Sequence, residues 1–302
     1  MSWDLNGKLV VGISSRALFD LEEENRIFEE QGLEAYREYQ MTHENDILRP
    51  GTAFPLVKAL SGLNSEDKHL TEIIIMSRNS ADTSLRIFNS IEHYGLDITR
   101  AALVSGASIT RYLNAFKTDL YLSANEREVQ EAINVGIAAG IICSPTDVPI
   151  DPNEEIPQIR IAFDGDAVIF SGEAERIYKE HGLKAFEEYE RSNAQRLLPE
   201  GPFAKLLKTL SMVQRQFPGE SSPIRLALVT SRNAPAHERV VRTLRAWDVR
   251  IDEIFFLGGI DKSDVLAAFG ANIFFDDQRI HTDLASKVVP SARVPYVGGT
   301  LE

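Results

Sequence analysis

The stretch Arg26-Ile-Phe-Glu-Glu-Gln-Gly-Leu-Glu-Ala-Tyr36 returns 150 residues later as Arg176-Ile-Tyr-Lys-Glu-His-Gly-Leu-Lys-Ala-Phe186, and this repeat decides how the chain is organised. Extended to Tyr39 and Tyr189, the two copies share 8 of 14 positions, where ordinary composition gives about one. A helical pattern common to both copies does not explain identical residues in the same order. We therefore interpret the chain as an internal duplication.

The match continues along the chain with small gaps. Met76-Ser-Arg-Asn79 aligns with Thr230-Ser-Arg-Asn233 further on. Residues 144–158 form a stretch rich in Pro and Asp, which is typical of a linker. The sequence thus predicts a first domain over residues 1–150 and a second over residues 151–302, which we call the first half and the second half.

Each half has the same alternation of short apolar strands and helices. Runs of β-branched and aromatic residues indicate strands buried on both faces, as in a parallel, Rossmann-like sheet flanked by helices. A helical insert after the first strand of each half is expected to form a small cap over the carboxyl edge of the sheet. The predicted strands are residues 8–13, 72–76, 100–104 and 119–122, then 159–163, 225–229, 253–257 and 271–275. The predicted helices after the inserts include residues 52–60, 84–94, 202–213 and 237–247.

Composition excludes several classes of protein. The chain has 302 residues, a formal net charge of −13 and one cysteine, so neither nucleic-acid polymer binding nor an intramolecular disulfide is expected. The longest apolar stretches, residues 9–13 and 136–143, are shorter than the ~20 residues that a membrane-spanning helix needs. The first eight residues lack the apolar core of a signal peptide. We expect a cytoplasmic protein with no membrane partner.

Polar residues follow four predicted strands of the second half at the point where each strand ends. In open parallel sheets, ligands bind beyond the carboxyl ends of the strands. Each residue alone suits a turn, a helix cap or a surface position, but four such positions in succession indicate a site. They are Asp164, Gly165 and Asp166 after the first strand, Thr230 after the second, Lys262 after the third, and Asp276 and Asp277 after the last.

This set of residues suits phosphoryl transfer through an aspartyl-phosphate. Asp164 is expected to attack phosphorus, and Asp166 to protonate the leaving oxygen and then activate water. Lys262 and the Thr230 hydroxyl are expected to stabilise the oxygens of the transferring group.

A divalent cation is expected as well, because a carboxylate and a phosphate dianion repel each other. Mg²⁺ fits, and whether Asp276 or Asp277 holds it stays open. The predicted metal ligands are Asp164, Asp166, Asp276 and Asp277, and the predicted substrate contacts are Gly165, Ser231, Arg232 and Asn233, with a structural role still open for the last two.

The four motifs that contain Asp164-Gly-Asp166, Thr230, Lys262 and Asp276-Asp277 resemble those of the haloacid dehalogenase-like phosphohydrolase superfamily. The chain is more similar still to the cytosolic 5′-nucleotidase I family, from about residue 9 to about residue 281. The resemblance implies a Mg²⁺-dependent hydrolase that converts nucleoside 5′-monophosphates to nucleoside and phosphate. Ser231 departs from the family pattern, in which a small residue such as alanine is usual.

Two other functions stay open. One is a phosphatase of the same chemistry that acts on a sugar phosphate or another small phosphomonoester. The other is a nucleotide-binding regulatory protein with little turnover, against which the intact carboxylate set of the second half argues.

The first half lacks the carboxylates of the second. Asp164 aligns with Ser14 and Asp166 with Arg16, so we expect the first half to be catalytically silent. It is expected either to shape a pocket or to be purely structural. Its own strand-end residues, 14–16 and 77–79, offer hydroxyl and guanidinium groups to an effector nucleotide. Whether an effector or a second copy of the chain binds stays open.

Overall fold

A ten-stranded sheet runs through both halves of the computed structural model, which describes residues 4–143, 148–218 and 221–299. Residues 144–147 of the predicted linker lie outside the described residues. The strands of the first half are β1 (Leu9–Ile13), β2 (Thr71–Ser77), β3 (Arg100–Leu103), β4 (Leu120–Ser123) and β5 (Ala138–Ile142). Those of the second half are β6 (Ile159–Phe163), β7 (Ile224–Thr230), β8 (Glu253–Phe256), β9 (Ile273–Asp276) and β10 (Ser291–Arg293).

The strand order is β3-β2-β1-β4-β5-β10-β9-β6-β7-β8. Neighbouring described strands are parallel, except that β5 and β10 pair antiparallel where the two halves meet. Each half therefore contributes five strands in the same order. Because the halves join antiparallel, the carboxyl edge of one half lies on the same side of the sheet as the amino edge of the other.

Helices cover both halves of the sheet in corresponding places. In the first half they are α1 (Ser15–Leu18), α2 (Glu22–Thr42), α3 (Phe54–Ser61), α4 (Leu85–His93), α5 (Thr110–Ala115) and α6 (Glu126–Asn134). In the second half they are α7 (Glu173–Ser192), α8 (Ala204–Gln214), α9 (His237–Ala246), α10 (Ser263–Phe269) and α11 (Arg279–Ala285). None of the helices in the described part of the chain is long and apolar enough to cross a membrane.

The prediction of a mixed α/β fold with a mostly parallel sheet is confirmed. The inner strands are largely buried because they are apolar on both faces, whereas the edge strands β3 and β8 are partly exposed. Phe163, Phe203 and Phe275 pack together at ring-centroid distances of 4.9–6.1 Å. The predicted strands agree with the observed ones to within two residues at each end. Sequence reasoning did not find the elements that join the halves, namely β5, α6, α11 and β10.

The repeated Gly-Leu pair has a backbone explanation. Gly32 interrupts α2 with φ of 85°, and Gly182 interrupts α7 with φ of 79°. This left-handed region favours glycine because a side chain there meets its own backbone. Each long insert is thus a helix broken at the same point.

Strand pairing corrects one detail of the sequence alignment. Ser77 is the last residue of β2, which pairs with β1, and Thr230 is the last residue of β7, which pairs with β6. Each lies two residues beyond the last residue that pairs with that neighbouring strand. Each hydroxyl also accepts a hydrogen bond of 3.2 Å from the backbone N–H two residues further on. Thr230 therefore corresponds to Ser77 and not to Met76. The sequence alignment was wrong by one residue here, because it matched the identical Ser-Arg-Asn residues that follow.

Candidate active site

The predicted nucleophile lies between two strands that carry other predicted site residues. Asp164 follows the central strand β6, and its backbone N–H donates to the carbonyl of Phe275 on β9 at 2.8 Å. On the other side, a Cβ added to Gly165 would lie 3.3 Å from Oγ1 of Thr230 at the end of β7. The parallel order β9-β6-β7 thus brings three of the predicted motifs together at one edge.

Lys262 joins this cluster from the loop before α10. Its Nζ lies 2.5 Å from Oδ1 of Asp164 and 2.6 Å from Oδ2 of Asp276, and the lysine is buried. Burial alone lowers the pKa of Lys262, but the two carboxylates outweigh it and hold the pKa above its usual range. The ammonium group therefore stays charged between the two strand ends.

The Asp164 carboxyl is almost fully buried, which changes its acidity. Burial raises the pKa of Asp164 to about 7, and the carboxylates of Asp276 and Asp166 add to the effect while Lys262 opposes it. In the metal-free protein this group is therefore poised between its two protonation states near neutral pH.

Asp276 and Asp277 are neighbours in sequence with different surroundings. Oδ2 of Asp276 contacts Lys262 and the His281 ring nitrogen at 3.2 Å, and its Oδ1 accepts from the backbone of Gln278 at 2.9 Å. Burial raises the pKa of Asp276, yet Lys262 and His281 bring it below the ordinary value. Both oxygens of Asp276 are thus already bonded within the protein.

Asp277 has one oxygen bonded and one free for a ligand. Its Oδ2 accepts a hydrogen bond of 2.6 Å from the Tyr296 hydroxyl. Its Oδ1 is buried and has no hydrogen-bond partner among the described residues. Burial, together with the nearby carboxylates of Asp164, Asp276 and Glu175, raises the pKa of Asp277 to about 9. An unpaired buried carboxylate oxygen is costly unless something positive binds it.

Asp166 lies in a buried ion-pair network. Arg232 Nε and NH2 each donate to Asp166 at 2.7 Å, and Arg232 NH1 donates to Glu190 at 2.7 Å. Glu190 also accepts from Arg239 NH1 at 2.9 Å. The predicted substrate contact Arg232 is thus held against protein carboxylates in this structure, where its planar fork orients Asp166.

The other predicted substrate contacts lie around the same edge. Ser231 and Asn233 are exposed and follow Thr230 in the loop after β7, whereas Gly165 lies next to Thr230. Exposure leaves the Ser231 and Asn233 side chains accessible to a ligand above the strand ends.

The carboxylate oxygens of this site suit a hard cation that takes its remaining ligands from water or from a bound phosphate. Within residues 4–143, 148–218 and 221–299, no group of three or more His, Cys, Asp or Glu side chains is arranged to hold a metal by itself. Mg²⁺ does not need such a group, since it commonly binds one or two carboxylates together with water and phosphate oxygens. Asp164 and the Oδ1 atom of Asp277 could supply those carboxylates.

A cavity of about 730 Å³ opens next to the candidate site, although none of the four clustered aspartates lines it. Its walls include Ala167, which follows Asp166, and Tyr296, whose hydroxyl contacts Asp277. Asn134, at the end of α6 in the first half, lines it too, as do charged side chains of both signs: Arg176, Lys179, Glu175, Glu180 and Glu200. Both halves thus form the walls of this cavity.

The corresponding strand ends of the first half hold a different set of groups. The Ser14 hydroxyl accepts from the backbone of Ala17 at 3.2 Å and caps α1, and Arg16 pairs with Glu22 at 2.9 Å. Because the halves join antiparallel, these residues lie at the opposite edge of the sheet from Asp164.

Sequence reasoning missed several residues of the candidate site. Tyr296 donates a hydrogen bond to Asp277, and Glu175 lies within hydrogen-bond distance of the same hydroxyl. Glu190 pairs with both Arg232 and Arg239, and His281 contacts Asp276. Tyr296 follows a three-residue strand that no apolar pattern marks. Glu190 corresponds to Gln40 in the repeat, and both are buried in the structure, but no pattern in the sequence indicates that burial.

The fold and the strand-end carboxylates define the chain as an α/β protein with a candidate phosphate-handling site. The chain belongs to the 5′-nucleotidase family, whose model matches residues 1–300. It is 40% identical over 292 residues to human cytosolic 5′-nucleotidase 1B, an alignment that covers 93% of this chain and 47% of the relative. The chain thus spans about half the length of this relative.

Proposed function

We propose that the chain is a Mg²⁺-dependent 5′-nucleotidase that hydrolyses nucleoside 5′-monophosphates through an aspartyl-phosphate on Asp164. One observation carries the proposal. The Lys262 ammonium joins Asp164 to Asp276 at 2.5 and 2.6 Å, beside an Asp277 oxygen that lacks a partner in the described part of the chain. Family membership supports a nucleotide as the substrate.

The proposed reaction has two steps. An oxygen of Asp164 attacks phosphorus, the bond from phosphorus to O5′ of the nucleoside breaks, and Asp166 gives a proton to O5′. In the second step Asp166 takes a proton from water, whose oxygen attacks the same phosphorus and releases phosphate and the Asp164 carboxylate. The Oδ1 atom of Asp164 contacts Lys262, so we assign the attack to Oδ2.

Charge is the main obstacle to the first step. Bound Mg²⁺ would offset the repulsion between the Asp164 carboxylate and the phosphate, and we propose Asp164 and Asp277 as its side-chain ligands. Asp276 is already bonded to Lys262 and His281, and Asp166 to Arg232. We therefore propose that these two residues, although predicted as metal ligands, do not bind the metal directly.

Around the phosphate we propose hydrogen bonds from the Thr230 hydroxyl and from the exposed Ser231 and Asn233 side chains. Gly165 would let the phosphate approach the backbone, since it carries no side chain. Lys262 would stabilise the charge that develops on the phosphate oxygens, as a cation fixed in place before the substrate arrives.

The nucleoside would occupy the neighbouring cavity, whose wall includes Tyr296 and Ala167. Its volume of about 730 Å³ is within the range of small-molecule sites. Its wall carries two cations, Arg176 and Lys179, and three carboxylates, Glu175, Glu180 and Glu200, so we assign attraction of the phosphate to Mg²⁺ and Lys262.

The two halves, residues 1–150 and 151–302, are proposed to be copies of one unit of haloacid dehalogenase type with a helical cap insert. Matching hydrogen bonds support this origin. Arg86 Nε donates to the carbonyl of Asp46 at 2.8 Å, and Arg239 Nε donates to that of Arg196 at the same distance. In the second half, both ends of α7 contact the candidate site, through Glu175 and through Glu190, which supports its role as a cap.

An effector site in the first half stays a proposal of its own. Arg78 donates to the carbonyl of Gly106 at 2.8 Å, and its side chain is about half exposed. An effector nucleotide would have to compete for this guanidinium at the edge opposite the catalytic one. If Arg78→Ala leaves both nucleotide binding and activity unchanged, the effector version is discarded.

Location and assembly follow from the same proposal. The relative is named a cytosolic protein, and we propose a cytoplasmic location for this chain. Assembly into a homo-oligomer stays a prediction that sedimentation velocity would test.

One experiment separates the proposed function from its alternatives. Phosphate release is measured for a panel of nucleoside 5′-monophosphates and sugar phosphates, with Mg²⁺ and with a chelator. We expect release from the nucleotides that the chelator abolishes. A preference for sugar phosphates would favour the other phosphatase, no turnover with tight nucleotide binding would favour a regulatory protein, and release that survives chelation would contradict the mechanism.

A further inference from the structure

We propose that Tyr296 is a positioning residue for the metal-binding carboxylate Asp277, and that helix α6 of the first half fixes the segment that carries it. The inference rests on the proposed function, because it takes Asp277 as a Mg²⁺ ligand. It gives the catalytically silent half a defined role in the active site.

The contact between Tyr296 and Asp277 determines which carboxylate oxygen is available. The hydroxyl donates to Oδ2 at 2.6 Å, while the buried Oδ1 has no partner within the residues that the structure describes. A carboxylate held at one oxygen presents the other in a fixed direction. The same hydroxyl lies 3.0 Å from Glu175 Oε2 and 3.3 Å from Lys179 Nζ, so it also joins Asp277 to α7.

The Tyr296 side chain is held through its hydroxyl and by Lys179, whose Nζ lies 5.5 Å from the ring centroid. It is 40% exposed and forms part of the cavity wall. Its backbone belongs to residues 294–299, which we call the C-terminal segment and which makes contacts of its own with α6.

One face of α6 contacts the C-terminal segment at two points and the residue just before it at a third. Glu126, Gln130 and Asn134 are spaced by four residues and therefore lie on the same side of the helix. Arg293 NH2, just before the segment, donates to Glu126 Oε1 at 2.8 Å. Inside the segment, Gln130 Nε2 donates to the carbonyl of Tyr296 at 2.9 Å, and the backbone N–H of Gly298 donates to Asn134 Oδ1 at 2.9 Å.

The sheet topology explains why a helix of the first half reaches the catalytic edge. α6 begins beyond the carboxyl end of β4 and runs back toward the amino end of β5. Because β5 and β10 pair antiparallel, that amino edge lies on the side where the strands of the second half end. Asn134, at the end of α6, accordingly lines the same cavity as Tyr296.

The test measures binding of Mg²⁺ alone to substrate-free protein by titration calorimetry. Tyr296→Phe keeps the ring and removes the hydroxyl, and we expect its affinity for Mg²⁺ to fall about tenfold, as is typical when an outer partner of a metal ligand is lost. The double variant Gln130→Met with Asn134→Ala leaves Tyr296 intact, and we expect a smaller loss of the same kind, about threefold. Tyr112→Phe, on α5 of the first half, is the matched control and should bind as the wild type does.

Kinetics separate positioning from general damage. At saturating Mg²⁺, Tyr296→Phe should regain most of its kcat, and its KM for the nucleotide should stay near that of the wild type. Thermal unfolding in chelator checks that each variant folds.

The outcomes distinguish this inference from the function on which it rests. Wild-type affinity for Mg²⁺ in Tyr296→Phe would overturn the role of the tyrosine, while a loss there without any loss in the double variant would overturn the role of α6. Absence of Mg²⁺ binding by the wild type would overturn the proposed function, and this inference with it.

Discussion

Lys262 and Asp164 form a buried ion pair of 2.5 Å across the carboxyl edge of the sheet, although 98 residues separate them in sequence. The same ammonium holds Asp276 at 2.6 Å, so a single lysine neutralises part of the charge of two strand ends. This relationship ties the proposed nucleophile to the rest of the site, and the first prediction tests it.

Replacement of Lys262 by Met should lower kcat for phosphate release by about 10²- to 10³-fold, because a fixed cation at the transferring group is lost. The variant should also be less stable by about 3–5 kcal/mol, since two buried carboxylates lose their shared partner. Steady-state kinetics and urea unfolding measure the two effects. The exposed Lys287→Met is the control, and equal activity of the two variants would count against the site.

Glu190 should be a major source of stability for the second half. Its fully buried carboxylate is shared by Arg232 and Arg239, so Glu190→Gln leaves two guanidinium groups with too little negative charge around them. We expect a loss of about 3–5 kcal/mol in unfolding free energy, together with reduced kcat because Asp166 is held less firmly. Glu188→Gln, at an exposed position of the same helix, should change neither quantity.

Asp277→Asn should stabilise the metal-free protein. The pKa of Asp277 is raised to about 9, whereas the pKa of an aspartate in the unfolded chain is about 3.9. Between these values the folded state keeps a proton that the unfolded state has lost, so this group's contribution to stability falls as pH rises.

The amide cannot ionise and removes that dependence. At pH 8 in chelator, Asp277→Asn should melt a few degrees above the wild type, at about 2–4 °C for each kcal/mol. Added Mg²⁺ should raise the melting temperature of the wild type and leave that of the variant almost unchanged. A metal-free variant that melts below the wild type would show that the ionised carboxylate is stabilising instead.

Binding of Mg²⁺ should depend on pH. The pKa values of Asp164 and Asp277 are raised to about 7 and about 9 in the metal-free protein, so a cation has to displace protons from them. Affinity should therefore increase from pH 6 to pH 9. Calorimetry in two buffers of different ionisation enthalpy should detect the protons released, and an affinity independent of pH would argue against these ligands.

Gly182 should matter for the proposed cap through its backbone alone. A Cβ there would meet open space, but φ is 79°, so Gly182→Ala should cost about 1–2 kcal/mol through local strain. Gly62→Ala, where φ is −67° and the nearest atom to a Cβ is 3.4 Å away, serves as the matched control. Chemical denaturation compares the two variants.

Much of the fold could be predicted because local chemistry determines it. Apolar runs such as residues 159–163 and 224–230 are strands buried on both faces, and a parallel sheet is the arrangement that covers them. The junction of the halves could not be predicted in this way. β10 has three residues, Ser291–Arg293, and its antiparallel pairing with β5 depends on tertiary packing.

The same distinction between local pattern and tertiary packing applies to the candidate site. Asp164, Thr230, Lys262 and Asp276 follow strands, so their convergence follows from the strand order. Tyr296 lies near the C-terminal end of the described residues, where its carbonyl accepts from Gln130 of α6 and its hydroxyl contacts Asp277, and no local pattern indicates either contact. Arg232 was predicted to contact substrate, whereas in the structure it binds Asp166 and Glu190, partners that no local pattern indicates.

The most direct test of the central claim is to trap the proposed intermediate. Wild-type protein is mixed with a nucleoside 5′-monophosphate and Mg²⁺, quenched in acid within the first turnover and digested for mass spectrometry, with Asp164→Asn in parallel. We predict a phosphoryl group on the peptide that contains Asp164 in the wild type, and neither that modification nor phosphate release in the variant. Phosphate release by Asp164→Asn at the wild-type rate, with no phosphoryl group on this aspartate in the wild type, would contradict the account.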